Sequence, residues 1–207
     1  GKAFQNPDGT LYTASLLTDR SHLREYAMIQ KLDANLDLIW ERKSRLDRFN
    51  IKDLLPAVLH RSDPKLHYEV VDITLQDKTI YVLAWDKSDF KPVPLILHFD
   101  QDGQLLLRVK VDLFLATNAY PYTRFYQGYA YICYLDQADK MLCLAQIDPA
   151  SGKVVNTAMK FWNKLNPEYN SLVFNAADST AAIDLYDHKS NLSSFFTVKG
   201  KSITEHF

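Results

Sequence analysis

Cysteine is nearly absent from this chain of 207 residues, which has only Cys133 and Cys143. Two are too few for a disulfide scaffold or a zinc knuckle. Glycine (6) and methionine (3) are scarce as well. No glycine-rich phosphate cradle occurs, neither Gly-x-x-x-x-Gly-Lys nor Gly-x-Gly-x-x-Gly. His-Glu-x-x-His and Gly-x-Ser-x-Gly are missing too. The histidines (His22, His60, His67, His98, His188 and His206) are never spaced i, i+2 or i, i+4. No catalytic residue, metal ligand or cofactor is therefore nominated. A basic surplus is also lacking: 24 Lys and Arg stand against 25 Asp and Glu, a net charge of −1. Dedicated nucleic-acid binders carry such a surplus, so no nucleic-acid partner is expected. No apolar run approaches the ~20 residues that span a bilayer. The longest, Leu105 to Val111, is broken by Arg108 and Lys110, and no transmembrane segment is expected. No signal peptide is visible, although a chain starting at Gly1 rather than Met leaves a removed leader open.

What is present is a globular composition, 47% hydrophobic and 24% charged. Twelve Tyr, eleven Phe and three Trp lean toward strands. A four-fold repeat organises the chain. Gly9-Thr10-Leu11-Tyr12-Thr13-Ala14 precedes a gap and then Tyr26 to Trp40. Lys78-Thr79-Ile80-Tyr81-Val82-Leu83-Ala84 precedes Leu95 to Leu107, and Gly128-Tyr129-Ala130-Tyr131-Ile132-Cys133-Tyr134 precedes Met141 to Val155. A weaker copy runs from Thr180-Ala181-Ala182-Ile183-Asp184-Leu185 to Leu192 through Thr204. Each unit reads as a short strand, a polar loop, a second strand ending in an Asp-led turn, and an outgoing strand. Asp100-Gln101-Asp102-Gly103 is the clearest such turn, because glycine takes positive φ freely. In the first unit Leu36 stands at the glycine position, so Asn35 is expected to be left-handed; in the fourth, Lys199 stands at the Asp position.

The strands read as apolar on both faces. Tyr129, Tyr131 and Cys133 point one way; Ala130, Ile132 and Tyr134 point the other. A sheet with one wet face alternates instead. Sheets covered on both sides suit the stacked blades of a propeller better than a sandwich, whose outer faces are polar. The stretch Lys31-Leu32-Asp33-Ala34-Asn35 through Trp40 resembles the repeat of β-propeller families, in particular loosely conserved bacterial extracytoplasmic propellers. The resemblance covers residues 2–46, 68–113, 120–161 and 170–207, roughly 50 residues per unit and near the usual ~40–50 per blade. The Trp-Asp signature, the kelch double glycine and Tyr-Trp-Thr-Asp are all lacking. It implies an all-β fold, a propeller-like array of about four antiparallel blades, as a single domain over 1–207 or part of a larger propeller. Residues 46–63 fall outside the repeat; helical spacing at Phe49, Leu54, Leu55 and Val58 predicts a short helical insertion, disturbed at Pro56. Residues 161–170 form the other connector, with Trp162 and Tyr169 expected partly exposed.

A hairpin centred on Ala138 places Cys133 and Cys143 opposite each other as a disulfide candidate, whereas a register slip of one residue leaves two buried free thiols. Asp100 and Asp102 make an oxygen-rich turn, but a full calcium loop with a terminal Glu is missing. Exposed tyrosines on a loop anchor peptides or glycans by stacking and a phenol hydrogen bond. Tyr120, Tyr122 and Trp162 are accordingly the candidate ligand-binding residues. The expected function is a non-catalytic interaction scaffold for a protein, peptide or glycan, of periplasmic or extracellular location. The alternatives are a hydrolase or lyase with a site at the propeller channel mouth, and a structural subunit completed by another chain. The oligomeric state stays open.

Overall fold

The structure, a computed structural model, describes residues 1–19, 24–46, 68–87, 93–113, 122–136, 139–162, 167–187 and 191–206. These residues form four four-stranded sheets, each a run of sequence-adjacent strands. The first holds β1 (Lys2–Gln5), β2 (Leu11–Asp19), β3 (Arg24–Leu32) and β4 (Leu38–Arg45). The second holds β5 (Tyr68–Gln76), β6 (Thr79–Asp86), β7 (Val93–Phe99) and β8 (Leu105–Lys110). The third holds β9 (Tyr122–Tyr126), β10 (Tyr129–Asp136), β11 (Met141–Ile147) and β12 (Val154–Phe161), and the fourth β13 (Pro167–Asn175), β14 (Thr180–Asp187), β15 (Leu192–Lys199) and β16 (Ser202–His206). Each repeat unit thus corresponds to one sheet. The helical insertion expected over 46–63 lies outside the described residues except for Leu46, which is buried. The connector expected over 161–170 is shorter, since β13 begins at Pro167. Among the described residues no helix is long and apolar enough to cross a membrane.

The Asp-led turns explain why the third and fourth strands of the first three units fold back. Asp33 Oδ1 accepts hydrogen bonds from the backbone N–H groups of Asn35 (2.8 Å) and Asp37 (2.9 Å). Asp100 Oδ1 accepts from Asp102 (3.0 Å) and Gln104 (2.8 Å), and Asp148 Oδ1 from Ala150 (3.1 Å). A carboxylate placed this way satisfies turn N–H groups that the ladder leaves over. Gly103 (φ 76°) and Gly152 (φ 71°) supply the left-handed residue. In the first unit that residue is Leu36 itself (φ 69°), not Asn35. The Asp33 cap fixes the turn's length, so whichever residue falls at that place takes the strained conformation. The requirement is tightest at Gly103, where an added Cβ would lie 2.5 Å from Trp40 Cζ3 and 2.9 Å from Arg42 Cγ.

The chain divides into two compact units, Gly1–Asp89 with Pro94–Val109, and Phe90–Val93 with Lys110–Phe207. In the first, Tyr12, Ala14, Ala27, Ile29, Ile73, Ile80, Val82, Leu95, Leu97 and Phe99 make the core. In the second, Cys133, Leu135, Leu142, Leu144, Ala158, Trp162, Leu172, Ile183, Leu185 and Phe196 do so. Two-sided burial holds for the second and third sheets. Ile80, Val82, Leu83, Ala84 and Trp85 along β6 are all buried, as are Leu142, Cys143, Leu144 and Ala145 along β11. The first and fourth sheets differ. On β14 the buried residues Ala181, Ile183 and Leu185 alternate with half-buried Ala182, Asp184 and Tyr186. In the first sheet one face carries a polar ladder. Thr13 Oγ1 donates to Gln30 Oε1 (3.1 Å), Gln30 Nε2 donates to Glu41 Oε2 (2.8 Å), and Lys43 pairs with Glu41 at 3.0 Å.

Candidate functional site

A two-residue turn, Gln127 (φ 44°) and Gly128 (φ 80°), joins β9 to β10. Two positive-φ residues match the twist of a tight hairpin. The resulting register sets Tyr126 against Tyr129, Arg124 against Tyr131 and Tyr122 against Cys133. Directly opposed residues share a face, so Tyr122, Arg124, Tyr126, Tyr129 and Tyr131 line one side of the hairpin. Phe174 of β13 packs on that side. Its ring stacks on Tyr126 at 4.4 Å and 10°, and meets Tyr131 at 4.6 Å and 51°. The Arg124 guanidinium sits 5.8 Å from the centre of the Tyr122 ring, and its Nη2 donates to the Tyr122 hydroxyl at 3.4 Å.

The face grades from closed to open. Tyr129 is 38% exposed, Arg124 is exposed, and Tyr122 and Tyr131 are half-buried. Burial pushes the Tyr131 phenol up, with Tyr129 and Tyr126 adding to the effect, so it remains a neutral donor near pH 7. The row continues across the sheet, because Tyr131 pairs with Gln146 and Gln146 with Asn156. Asn156 Nδ2 donates to the Gly200 carbonyl (3.4 Å), while its buried Oδ1 and the buried Tyr126 hydroxyl have no hydrogen-bond partner among the described residues. The arrangement offers π faces beside one fixed cation and several neutral polar groups. It can stack a flat apolar surface and hydrogen-bond its polar rim. Among the described residues no group of three or more His, Cys, Asp or Glu is placed to hold a metal ion.

Of the residues nominated from sequence, Tyr122 lies on this face. Tyr120 lies outside the described residues. Trp162 is corrected: it is 4% exposed and belongs to the core, meeting Phe196 edge-on at 5.7 Å and 88°. Its backbone N–H donates to the Lys140 carbonyl at 2.7 Å, which turns the indole inward as β12 ends. The Cys133–Cys143 bridge is also corrected. Cys133 pairs with Leu144 and Cys143 with Tyr134, the one-residue slip that sends the two thiols to opposite faces. Both are buried and free. Burial pushes the Cys133 thiol up strongly and Cys143 up to about 11. The sequence reading did not join Arg124, Tyr126, Tyr129, Tyr131 and Phe174 into one face. A usable signal was the shared parity of Tyr122, Arg124 and Tyr126, carried across a two-residue turn to Tyr129 and Tyr131.

No protein-family model matches the chain, and no curated protein sequence matches it. Solved structures do. Hydrazine synthase from Kuenenia stuttgartiensis is 12% identical, with 99% of this chain and 64% of that chain covered and a TM-score of 0.52. A neuraminidase-like protein from a bat source (A/bat/Guatemala) is 10% identical over 100% of this chain and 56% of its own, TM-score 0.51. An exo-β-1,3-galactanase from Phanerochaete chrysosporium is 10% identical over 95% of this chain and 46% of its own, TM-score 0.50. The chain therefore spans between about half and two thirds of the length of these structures. Propeller-fold proteins are among them, and at such identities the likeness concerns the fold alone. The chain is an all-β protein, a propeller-like array of four antiparallel blades.

Proposed function

We propose that this chain is a non-catalytic binding module whose β9–β10 tyrosine face holds a glycan, or a peptide or protein segment presenting similar chemistry. The observation that carries the reading is the placement of Tyr122, Arg124, Tyr126, Tyr129 and Tyr131 on one hairpin face, where Phe174 covers the Tyr126 and Tyr131 rings and leaves Tyr129 and Arg124 exposed. A sugar ring suits it best, since its C–H face stacks on Tyr129 while its hydroxyls reach Arg124 and Gln146. Tyrosines provide large contact area at low conformational cost, so little free energy is lost on ordering them. The same reading takes the chain as a diverged relative of bacterial extracytoplasmic propellers, acting in the periplasm or outside the cell. The element Lys31 through Trp40 supports this.

The test is binding to an array holding both oligosaccharides and Tyr- or Trp-rich peptides, with Tyr129→Ala and Arg124→Ala in parallel. The reading expects a hit weakened about tenfold or more by either substitution. Hits that neither substitution changes would remove the face as the site. The hydrolase alternative separates in the same assay, because it expects the glycan to be cleaved rather than held.

A further inference from the structure

Of Tyr122, Arg124, Tyr126, Tyr129 and Tyr131 only Arg124 is charged, and Gln146 and Asn156, which continue its row across the sheet, are neutral amides. The phenols are uncharged near pH 7. The guanidinium is nevertheless held in place: the Tyr122 ring centre lies within cation–π range at 5.8 Å, and Nη2 meets the Tyr122 hydroxyl. No carboxylate of the described residues pairs with it; Glu205, on the facing sheet, pairs with Lys160 at 4.0 Å. In the fourth sheet the row of Phe174 runs through Ala181, Val198 and Ile203, all apolar, so that row offers no counter-charge. Asp148 and Asp178 cap turns at the same end of the two sheets and direct oxygens into those turns. Asp148 accepts from the Ser151 hydroxyl at 2.6 Å and Asp178 from the Thr180 hydroxyl at 2.7 Å. The hairpin Lys199-Gly200-Lys201, whose Gly200 carbonyl is held by Asn156, adds two exposed cations to that end.

We propose that the ring held on the tyrosine face belongs to an acidic sugar, whose carboxylate pairs with Arg124 while the ring stacks on Tyr129. This rests on the reading of that face as the binding site and adds the charge of its ligand. The reason is the cost of covering Arg124. A neutral sugar laid over the face strips water from a cation that no protein carboxylate compensates, and its hydroxyls repay that loss only in part. A carboxylate repays it with two parallel charge-assisted hydrogen bonds, the geometry that a guanidinium fork fits. The hold of Tyr122 on the guanidinium lowers the entropy lost in forming that pair.

Calorimetric titration of the 207-residue chain tests it. The probes are oligosaccharides of glucuronic, galacturonic and mannuronic acid, each beside its methyl ester, which keeps the ring and removes the charge, together with a glutamate-rich peptide. At least one acid is expected to bind about tenfold or more tighter than its ester. Arg124→Gln should bring that ratio close to one, and Arg124→Lys, which keeps the charge without the fork, should leave an intermediate ratio. Tyr129→Ala should weaken acid and ester together and leave their ratio unchanged. Acid and ester bound equally, with both weakened by Tyr129→Ala, overturns the proposal and leaves the tyrosine face standing as the site. An acid preference that survives Arg124→Gln also overturns it, by assigning the preference to other cations such as Lys199 and Lys201. Binding of the peptide with no sugar bound overturns the sugar. Sugars that bind independently of Tyr129, or no binding of any probe, overturn the proposal, the former together with the reading of the face.

Discussion

The second strands of the first and third sheets carry a tyrosine at the same place in the repeat, Tyr12 and Tyr131, and the two sit in different surroundings. Tyr12 lies in the row Phe4, Tyr12, Lys31, Trp40. It is 2% exposed, met edge-on by Trp40 at 6.1 Å, with the Lys31 ammonium 5.4 Å from its ring centre. Tyr131 lies in the row Arg124, Tyr131, Gln146, Asn156. There the position of Trp40 is taken by Asn156 and that of Phe4 by Arg124, and the phenol stays half-buried beside exposed Tyr129. The lesson is that the repeat's aromatic position is a packing position by default. It opens partly toward solvent where the covering residues of its row turn polar, and that is the place proposed here for recognition.

The largest expected effect tests that contrast directly. Tyr12→Ala should cost about 3–5 kcal/mol of folding stability, the usual range for emptying a buried aromatic site. Tyr131→Ala should cost less, because its ring is only partly buried. Urea unfolding measures both, and equal costs would break the comparison. Gly103→Ala is next, at about 1–3 kcal/mol, because the left-handed φ and the Trp40 ring both oppose a Cβ. A cost near zero would show that Trp40 is a loose cover rather than a fixed one. The thiols sharpen the account of the third sheet. A thiol-labelling reagent should leave Cys133 and Cys143 unmodified in the native protein and modify both on unfolding. Fast native labelling at Cys133 would contradict its burial against the fourth sheet.

The smallest effect concerns pH. Asp8 and Asp178 are held below the usual carboxylate range, chiefly by the side-chain hydrogen bonds to Thr10 and Thr180 (both 2.7 Å). The unfolded chain therefore binds these protons more readily than the folded one. Their contribution is present above the ordinary carboxylate pKa and is lost as pH falls through the lowered folded values. Stability should thus decline on acidification, and D8N/D178N should flatten part of that slope in melts taken from neutral pH downward. An unchanged slope would assign the acid sensitivity to other carboxylates.

The strand order was legible because each unit repeats one local recipe: a strand pair closed by an Asp that caps its own turn. The recipe is short-range chemistry, so sequence spacing reveals it. Side-chain preference for the left-handed region points to Asn35, whereas the Asp33 cap places that conformation at Leu36. The two-sided apolar pattern read from Tyr129 to Tyr134 does not extend to every strand, and the polar ladder Thr13–Gln30–Glu41 departs from it. Register is the part that spacing alone leaves undetermined. One residue separates a bridged Cys133–Cys143 pair from thiols on opposite faces, and the turn between them decides which. Trp162 shows a related gap, since a connector residue with no periodic context gives no sign that it turns into the core. The tyrosine face was half visible. Tyr122 stands out as a loop aromatic and Tyr129 and Tyr131 as one strand face, whereas Arg124 and Tyr126 carry no such sign and Phe174, distant in sequence, joins them only through the packing of β13 on β9 and β10.

Tyrosine-ring NMR during a titration with the best array ligand tests the central claim most directly. The account predicts that resonances of Tyr122, Tyr126, Tyr129 and Tyr131 shift together while Tyr12 and Tyr81 stay in place. Shifts confined to other tyrosines, or spread evenly over all twelve, would contradict it.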